Sequence, residues 1–297
     1  MREELARQIL AANAKPWQEM VVASHEIYVP LQPAVAESAI VRDVRYGPDE
    51  RHRLDVFPAA GGERRPVLMF VHGGGFVAGD KSLGRLPYYE NIGAWAAARG
   101  FVGVTITYRL APGTMYPGAA DDVGAAVDWV RRNIGAYGGD PDAITLLGQS
   151  AGASHVATYA ATPALQRDGI GVAGIGLLSG VYDFGRWDVA PNTIALLGDD
   201  PAAHAAANAI PGLVAAGVPV MLGISEFDPP PFHRQARALF DALADRSDRV
   251  PNLLYLPLHN HISQVAHLNA TGTDDELLSS RLAEFIEQGA AKQLAAR

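Results

Sequence analysis

The chain of 297 residues contains no cysteine, which excludes disulfide bonds, thiolate nucleophiles and cysteine-ligated metal sites. Charged residues are scarce at 19%, and the formal net charge is −8. A nucleic-acid-binding protein needs a basic face to meet phosphate groups, and docking on an anionic membrane needs the same. We therefore expect neither nucleic acid nor a membrane among the partners of this protein.

Long apolar runs are missing as well, because no stretch approaches the roughly 18 apolar residues of a membrane-spanning helix. The N-terminal segment Met1–Gln8 lacks the apolar stretch and the small-residue cleavage site of a signal peptide. Hydrophobic residues make up 48% of the chain, which is enough for a large core. The sequence thus predicts a cytoplasmic globular protein.

Short apolar, β-branched runs alternate with helical patterns from residue 39 onward. Two runs alternate polar and apolar residues, as half-exposed strands do, and six are continuously apolar, as strands buried on both faces are. The eight predicted strands are Ile40–Tyr46, Arg53–Phe57, Val67–Val71, Phe101–Thr107, Ile144–Leu147, Gly174–Leu178, Val218–Ile224 and Leu253–Leu256.

Segments with the apolar periodicity of helices lie between these strands. This alternation predicts an α/β fold, with a mostly parallel sheet of about eight strands and helices on both faces. Residues 1–38 stand apart as a helical arm or cap, with a helical pattern over Glu3–Asn13 and prolines after it. The predicted helices of the main domain are Pro87–Arg99, Asp121–Ile134, Ala151–Ala161, Pro201–Gly217, Phe232–Ala244 and Asp275–Gln288.

A G-x-S-x-G motif occupies Gly148–Gly152, directly between a predicted buried strand and a predicted helix. In that context the backbone turns sharply and lifts the serine hydroxyl above the sheet edge. The flanking glycines allow the strand and the helix to approach without a Cβ clash. The motif therefore predicts Ser150 as a nucleophile.

A second motif, His-Gly-Gly-Gly-Phe over His72–Phe76, follows the predicted strand Val67–Val71. Three consecutive glycines leave backbone N–H groups free to point into a cavity. An acyl-transfer enzyme needs such donors where the oxyanion of the tetrahedral intermediate forms. The order of the two motifs along the chain, each directly after a predicted buried strand, favours a hydrolase.

Together the two motifs make the sequence similar to the hormone-sensitive-lipase-like carboxylesterase branch of the α/β-hydrolase superfamily. The resemblance spans roughly residues 50–288 and also includes Tyr108–Pro112, Asp128–Val130 and Gly139–Pro141. It implies an α/β-hydrolase catalytic domain over residues 39–297 that needs no cofactor and no metal. It also implies an oxyanion hole formed by the N–H groups of Gly74, Gly75 and Ala151. A homodimer is expected by analogy with this branch.

The acid and the base should follow the serine in the order Ser, Asp or Glu, His. The strand Val218–Ile224 is followed by Asp228, which stands before a proline as the family pattern requires, and Glu226 is the alternative acid. His259 and His261 both follow the last predicted strand, and position favours His261 as the base. The expected catalytic residues are therefore Ser150, Asp228 and His261.

Substrate contacts are expected from Phe76, Gln149 and Tyr182, which lie in or near the predicted site loops. The family usually shows His-Gly-Phe where this chain has His261-Ile262-Ser263. That departure resembles the subset near arylformamidases and small bacterial feruloyl-type esterases.

The leading hypothesis is a serine carboxylic-ester hydrolase that acts on short-chain or small aromatic esters through an acyl-enzyme. An aryl formamide hydrolase with the same triad is the alternative, and a non-catalytic binding module that kept the fold is a third reading. Fold alone does not choose among these. A metal site of His259, His261 and His267 is disfavoured, because no zinc-binding pattern accompanies these histidines.

Overall fold

The computed structural model describes residues 3–62, 64–84, 87–247, 250–273 and 276–295. Eight strands form one sheet in the order β1-β2-β4-β3-β5-β6-β7-β8. The pairs β1/β2 and β2/β4 are antiparallel and the other five are parallel. The predicted eight-stranded, mostly parallel sheet is confirmed. The strands are β1 (Val41–Arg45), β2 (Arg53–Phe57), β3 (Arg65–Val71), β4 (Val102–Ile106), β5 (Gly139–Gln149), β6 (Gly174–Leu178), β7 (Val220–Ser225) and β8 (Asn252–Leu256).

The described α-helices are distributed before, between and after the strands. Among them, no helix combines the length and the apolar character needed to cross a bilayer. They are α1 (Glu3–Asn13), α2 (Trp17–Tyr28), α3 (Glu90–Ala98), α4 (Gly118–Asn133), α5 (Ala151–Ala161), α6 (Pro191–Leu197), α7 (Pro201–Ala206), α8 (Ile210–Ala216), α9 (Pro230–Ser247), α10 (Ser263–Ala266) and α11 (Leu277–Ala295).

Five of the six continuously apolar strands are buried on both faces of the sheet, as their sequences predict. The prediction is wrong for Leu253–Leu256, because β8 lies at the edge of the sheet and its Leu253 and Tyr255 are 44% and 49% exposed. In β3, Val67 and Met69 belong to one hydrophobic cluster, whereas Leu68 and Phe70 belong to another on the opposite face. Side chains of α4, α5, α8 and α9 complete the first cluster, and side chains of α3 and α11 complete the second. This alternation follows from the two-residue period of a strand.

The N-terminal helices pack onto this framework. Leu5 and Ile9 of α1 and Tyr28 of α2 are buried in the second hydrophobic cluster. A hydrogen bond from Asn260 Nδ2 to Ser24 Oγ, 2.9 Å long, fastens α2 to the segment that follows β8. The arm therefore lies beside the predicted base, while the domain boundary at residue 38 stays a prediction.

The prediction of one helix over Pro201–Gly217 is wrong, because the segment forms α7 and α8 with a break between them. Pro211 lies in the first turn of α8, and a continuous helix would place its ring against the carbonyl of Ala207. That carbonyl instead accepts a hydrogen bond from Phe184 N. Asn208 Oδ1 accepts from Ile210 N and begins the second helix.

Two further differences concern helix boundaries. The proline at position 16 begins a second helix in the arm, α2, which the sequence pattern did not reveal. The last helix was predicted over Asp275–Gln288. Asp275 lies outside the described residues, and the described helix continues beyond Gln288 to Ala295.

Candidate active site

Ser150 stands at the sharp turn between β5 and α5, as the motif predicts. Its backbone has φ 56° and ψ −122°, a left-handed conformation that is rare for residues other than glycine. Ser150 N donates a 2.8 Å hydrogen bond to Leu178 O at the end of β6, which fixes the turn against the neighbouring strand. The parallel strands end at the same edge of the sheet, so the serine faces the loops that follow them.

The glycines around Ser150 are required by close packing. A Cβ at Gly152 would overlap the carbonyl oxygen of Val71 and stand 2.6 Å from that of His72. A Cβ at Gly148 would stand 2.5 Å from the carbonyl oxygen of Gly152. The helix that follows the serine therefore packs directly on the end of β3.

The glycine loop after β3 adopts a conformation that suits glycine. Gly74 and Gly75 have φ of 132° and 60°, and a Cβ at Gly74 would overlap the carbonyl oxygen of Ala78. Within the described part of the chain, neither N–H group donates a hydrogen bond to protein. Ala151 N, in the first turn of α5, has no intrahelical acceptor. All three residues predicted for the oxyanion hole line one cavity.

Two buried histidines, His72 and His155, pack against this loop. His72 Nδ1 lies 2.6 Å from Gly73 O, so this nitrogen carries a proton that it donates to the carbonyl. Tyr108 stacks on the His72 ring with 4.4 Å between ring centroids, and the His155 ring meets both Tyr108 and Phe76. Burial lowers the pKa of His72 and that of His155 to about 3, so both rings are neutral at pH 7.

A carboxylate and an imidazole meet next to the serine. His261 Nδ1 lies 2.6 Å from Asp228 Oδ1, and both side chains are almost completely buried. Nε2 of His261 is buried and has no hydrogen-bond partner among the described residues. Asp228 thus binds Nδ1 of His261, whereas Nε2 is unpaired among the described residues. Ser150 and His261 line the same cavity.

Further hydrogen bonds hold this pair in place. Asp228 Oδ2 accepts from Ser225 N at 2.7 Å and from Ser179 Oγ at 2.6 Å. The carbonyl oxygen of His261 accepts from Gln149 Nε2 and from Gln264 Nε2, each at 2.9 Å. The donors come from the ends of β5, β6 and β7 and from α10, so the sheet edge itself orients the acid and the base.

The alternative acid and base lie elsewhere. Glu226 Oε2 accepts a 2.7 Å hydrogen bond from Leu258 N and thereby ties two loops together. His259 Nδ1 lies 3.0 Å from Ser263 Oγ, and its ring packs on His267. Asp228 contacts His261 and not His259. Over the residues that the structure describes, no group of three or more His, Asp or Glu side chains is arranged to hold a metal ion.

The cavity above Ser150 has a volume of about 760 Å³. Among the described residues, no Lys, Arg, Asp or Glu lines it. Five aromatic residues surround the serine, which makes the cavity suitable for an uncharged, partly apolar ligand. They are Trp17, Phe76, Tyr89, Trp187 and Phe232.

The three predicted substrate contacts have different outcomes. Phe76 and Gln149 line the cavity, although the amide nitrogen of Gln149 is already bonded to the His261 carbonyl. The placement of Tyr182 in the cavity wall is wrong. Its ring is 1% exposed and packs in the core, and its hydroxyl accepts a hydrogen bond from Gly180 N. The neighbouring Val181 lines the cavity instead.

Sequence reasoning missed several residues of the site. Trp17 on α2 and Phe232 on α9 flank the His261 ring, with centroid distances of 5.2 Å and 4.5 Å. Asn192 on α6 donates from Nδ2 to Gly75 O at 3.1 Å and so braces the glycine loop. None of these residues belongs to a motif. The proline before Trp17 is the one local signal that a helix places this side chain.

Comparison with solved structures shows which known fold the chain shares. Esterase B from Lactobacillus rhamnosis superposes with a TM-score of 0.73 over 98% of both chains, at 19% sequence identity. The BD-FAE family model matches residues 54–169, which include the glycine loop and the nucleophile turn. The chain has the α/β-hydrolase fold. The matched segment ends before Asp228 and His261, so the pairing of these two residues is known from the structure alone.

Curated relatives of this chain carry esterase and hydrolase names. Esterase LipQ from Mycobacterium tuberculosis is 31% identical over 252 residues, which cover 77% of this chain and 58% of that protein. Phenmedipham hydrolase from Pseudarthrobacter oxydans is 40% identical over 112 residues, 36% of this chain and 22% of that protein. The chain thus spans less than two thirds of either relative. These names agree with the carboxylesterase resemblance that the motifs imply.

Proposed function

We propose that this protein is a serine carboxylic-ester hydrolase with Ser150 as nucleophile, His261 as general base and Asp228 as its orienting acid. The observation that carries the proposal is the 2.6 Å contact between Asp228 and His261, which leaves Nε2 free in the cavity of Ser150. The esterase names of the relatives support the same chemistry.

In the proposed reaction, Ser150 Oγ attacks the acyl carbon of the ester while His261 Nε2 takes its proton. The negative charge on the carbonyl oxygen is stabilised by the N–H groups of Gly74, Gly75 and Ala151. The same imidazolium then protonates the leaving alcohol, and the acyl group stays on the serine. Water, deprotonated by His261, attacks the acyl-enzyme, and the imidazolium then returns this proton to Ser150 Oγ as the acid is released. Asp228 holds the tautomer with the proton on Nδ1 throughout.

The cavity supports short-chain or small aromatic esters as substrates. Its volume of about 760 Å³ accommodates a small ligand, and its aromatic walls offer contacts to rings and alkyl chains. The absence of Lys, Arg, Asp and Glu among its described lining residues favours uncharged substrates over ionic ones.

The test is a rate comparison on p-nitrophenyl esters from acetate to decanoate, with the intact protein and Ser150→Ala. We expect cleavage of the shorter esters and a loss in kcat of about 10⁴-fold or more in the variant, since the nucleophile is removed. The matched control is Ser247→Ala, an exposed serine at the end of α9, which should retain full activity.

Equal rates for Ser150→Ala and the intact protein would contradict the assignment of the nucleophile. N-formylkynurenine is included in the panel, because the same groups would attack a formamide carbonyl. Cleavage of the formamide without cleavage of any ester would replace the proposed ester substrate with an aryl formamide.

A further inference from the structure

Two aromatic rings enclose the imidazole of His261, and one of them comes from the N-terminal arm. Trp17 begins α2, and its ring lies 5.2 Å from the His261 ring at an interplanar angle of 52°. Phe232 of α9 lies on the ring at 4.5 Å and 38°. The indole is 46% exposed, so burial in a hydrophobic core does not explain its position.

The charge on this imidazole changes during catalysis. In the proposed reaction the general base is neutral before it takes the serine proton and a cation afterwards. A cation within about 6 Å of an aromatic centroid is attracted by the ring quadrupole, and tryptophan gives the strongest attraction. Both flanking rings lie within that distance, so they interact more favourably with the imidazolium than with the neutral ring.

Other charged or titratable groups near His261 are few. Asp228 contacts Nδ1, His259 lies two residues away on the same segment, and His25 of α2 and Tyr89 line the same cavity. Burial lowers the pKa of His25 and raises that of Tyr89 to about 12, so neither carries charge near pH 7. Besides Asp228 on Nδ1, the two aromatic rings are therefore electrostatic partners of the imidazolium.

We propose that Trp17 is a positioning residue that stabilises the imidazolium form of His261 through a cation–π interaction. The inference rests on the proposed function, because it assigns the arm a role in the step that charges His261. The N-terminal arm then contributes to transition-state stabilisation as well as to the cavity wall.

The experiment distinguishes a cation–π interaction of Trp17 from simple shielding of the His261 ring from water. Trp17→Phe keeps an aromatic face, whereas Trp17→Leu keeps an apolar side chain without one. The control is Trp187→Leu, the same change in the same cavity, because Trp187 contacts Phe232 and has no ring contact with His261. The first readout is the pH dependence of kcat/KM, which reports the base of the free enzyme.

We expect Trp17→Leu to lower the kinetic pKa by about half a pH unit and kcat/KM at neutral pH by about two- to fivefold. Trp17→Phe should retain most of the wild-type pKa, and Trp187→Leu should leave that pKa unchanged whatever its effect on KM. If Trp17 only shields the ring from water, its loss should leave the pKa unchanged or raise it. Either of those results, or equal pKa values for the Phe and Leu variants, would overturn the proposal.

A second readout does not depend on activity. The pKa of His261 is measured by NMR on histidine-labelled Ser150→Ala protein, with and without Trp17→Leu, and the signal is assigned with His261→Gln. The same downward shift is expected in this background. If Ser150→Ala and the intact protein have equal rates, the proposed function fails, while the NMR titration still decides whether the indole stabilises the imidazolium.

Discussion

At the scale of single residues, the site depends on where protons are held. Asp228 fixes the proton on Nδ1 of His261, and a carbonyl oxygen fixes the proton on Nδ1 of His72. His155 is buried as well, and its Nε2, like that of His72, has no hydrogen-bond partner among the described residues. Because these two histidines are neutral in the folded protein, their protonation should change its free energy of unfolding.

Acidification should destabilise the protein through His72 and His155. Their pKa values are about 3 in the folded chain and 6.5 for a free side chain, so the unfolded state binds more protons between these values. The free energy of unfolding therefore falls as the pH is lowered from about 6.5 towards 3. Each group contributes a slope of about 1.4 kcal/mol per pH unit within this range.

The measurement is urea unfolding at several pH values between 7 and 4.5, on the wild type and on His155→Leu. Leucine fills a similar volume and cannot be protonated, so the slope of stability against pH should decrease by about 1.4 kcal/mol per unit. An unchanged slope would show that His155 is not protonated on unfolding in this range. The wild type at pH 7 serves as the reference for the effect of the substitution itself.

At the scale of elements, the active-site edge is formed where strands end and helices begin. The turn from β5 to α5 carries the proposed nucleophile, Ser150, and α5 starts in contact with the end of β3. Asn192 of α6 and Trp17 of α2 reach the same edge from separate helices. The start of α5 packs directly on the backbone at the end of β3, and adding one methyl group at Gly152 tests this contact.

Gly152→Ala should destabilise the protein by about 1–3 kcal/mol or more, because its Cβ would overlap the backbone carbonyl of Val71. Activity should decrease with it, since the clash moves the helix that begins beside Ser150. The matched control is Gly135→Ala, where a Cβ meets no atom within 4 Å of the described structure. That variant should be neutral or slightly stabilised. Equal thermal unfolding of the two variants would contradict the packing argument.

At the scale of the whole molecule, a net charge of −8 surrounds a cavity without Lys, Arg, Asp or Glu among its described lining residues. The electrostatic field of the protein repels anions, and the cavity offers an anionic substituent no cationic partner. The same features do not affect a neutral substrate.

We expect kcat/KM for the p-nitrophenyl ester of succinic acid to be at least about tenfold below that of its neutral succinamic counterpart. Added salt should narrow the difference by screening the long-range repulsion, and it should leave the neutral substrate unaffected. Initial rates at low and high ionic strength provide the measurement. Comparable rates on both esters at low salt would indicate a cationic contact in the cavity.

The local features of this protein follow from its sequence. The apolar runs specify the strands, and the two glycine motifs specify the turns that carry Ser150, Gly74 and Gly75. Residue order along an α/β chain also places an acid and a base after the serine. Each of these depends on neighbouring residues, whose backbone preferences and hydrophobic period are visible in the sequence.

Contacts between residues that are distant along the chain are visible in the folded structure and not in the sequence. It pairs Asp228 with His261 and not with His259, and it withdraws Tyr182 from the cavity. It brings Trp17 against an imidazole more than two hundred positions away along the chain. These contacts depend on strand order and on helix packing. Side chains from the whole chain contribute to both, so no local pattern encodes them.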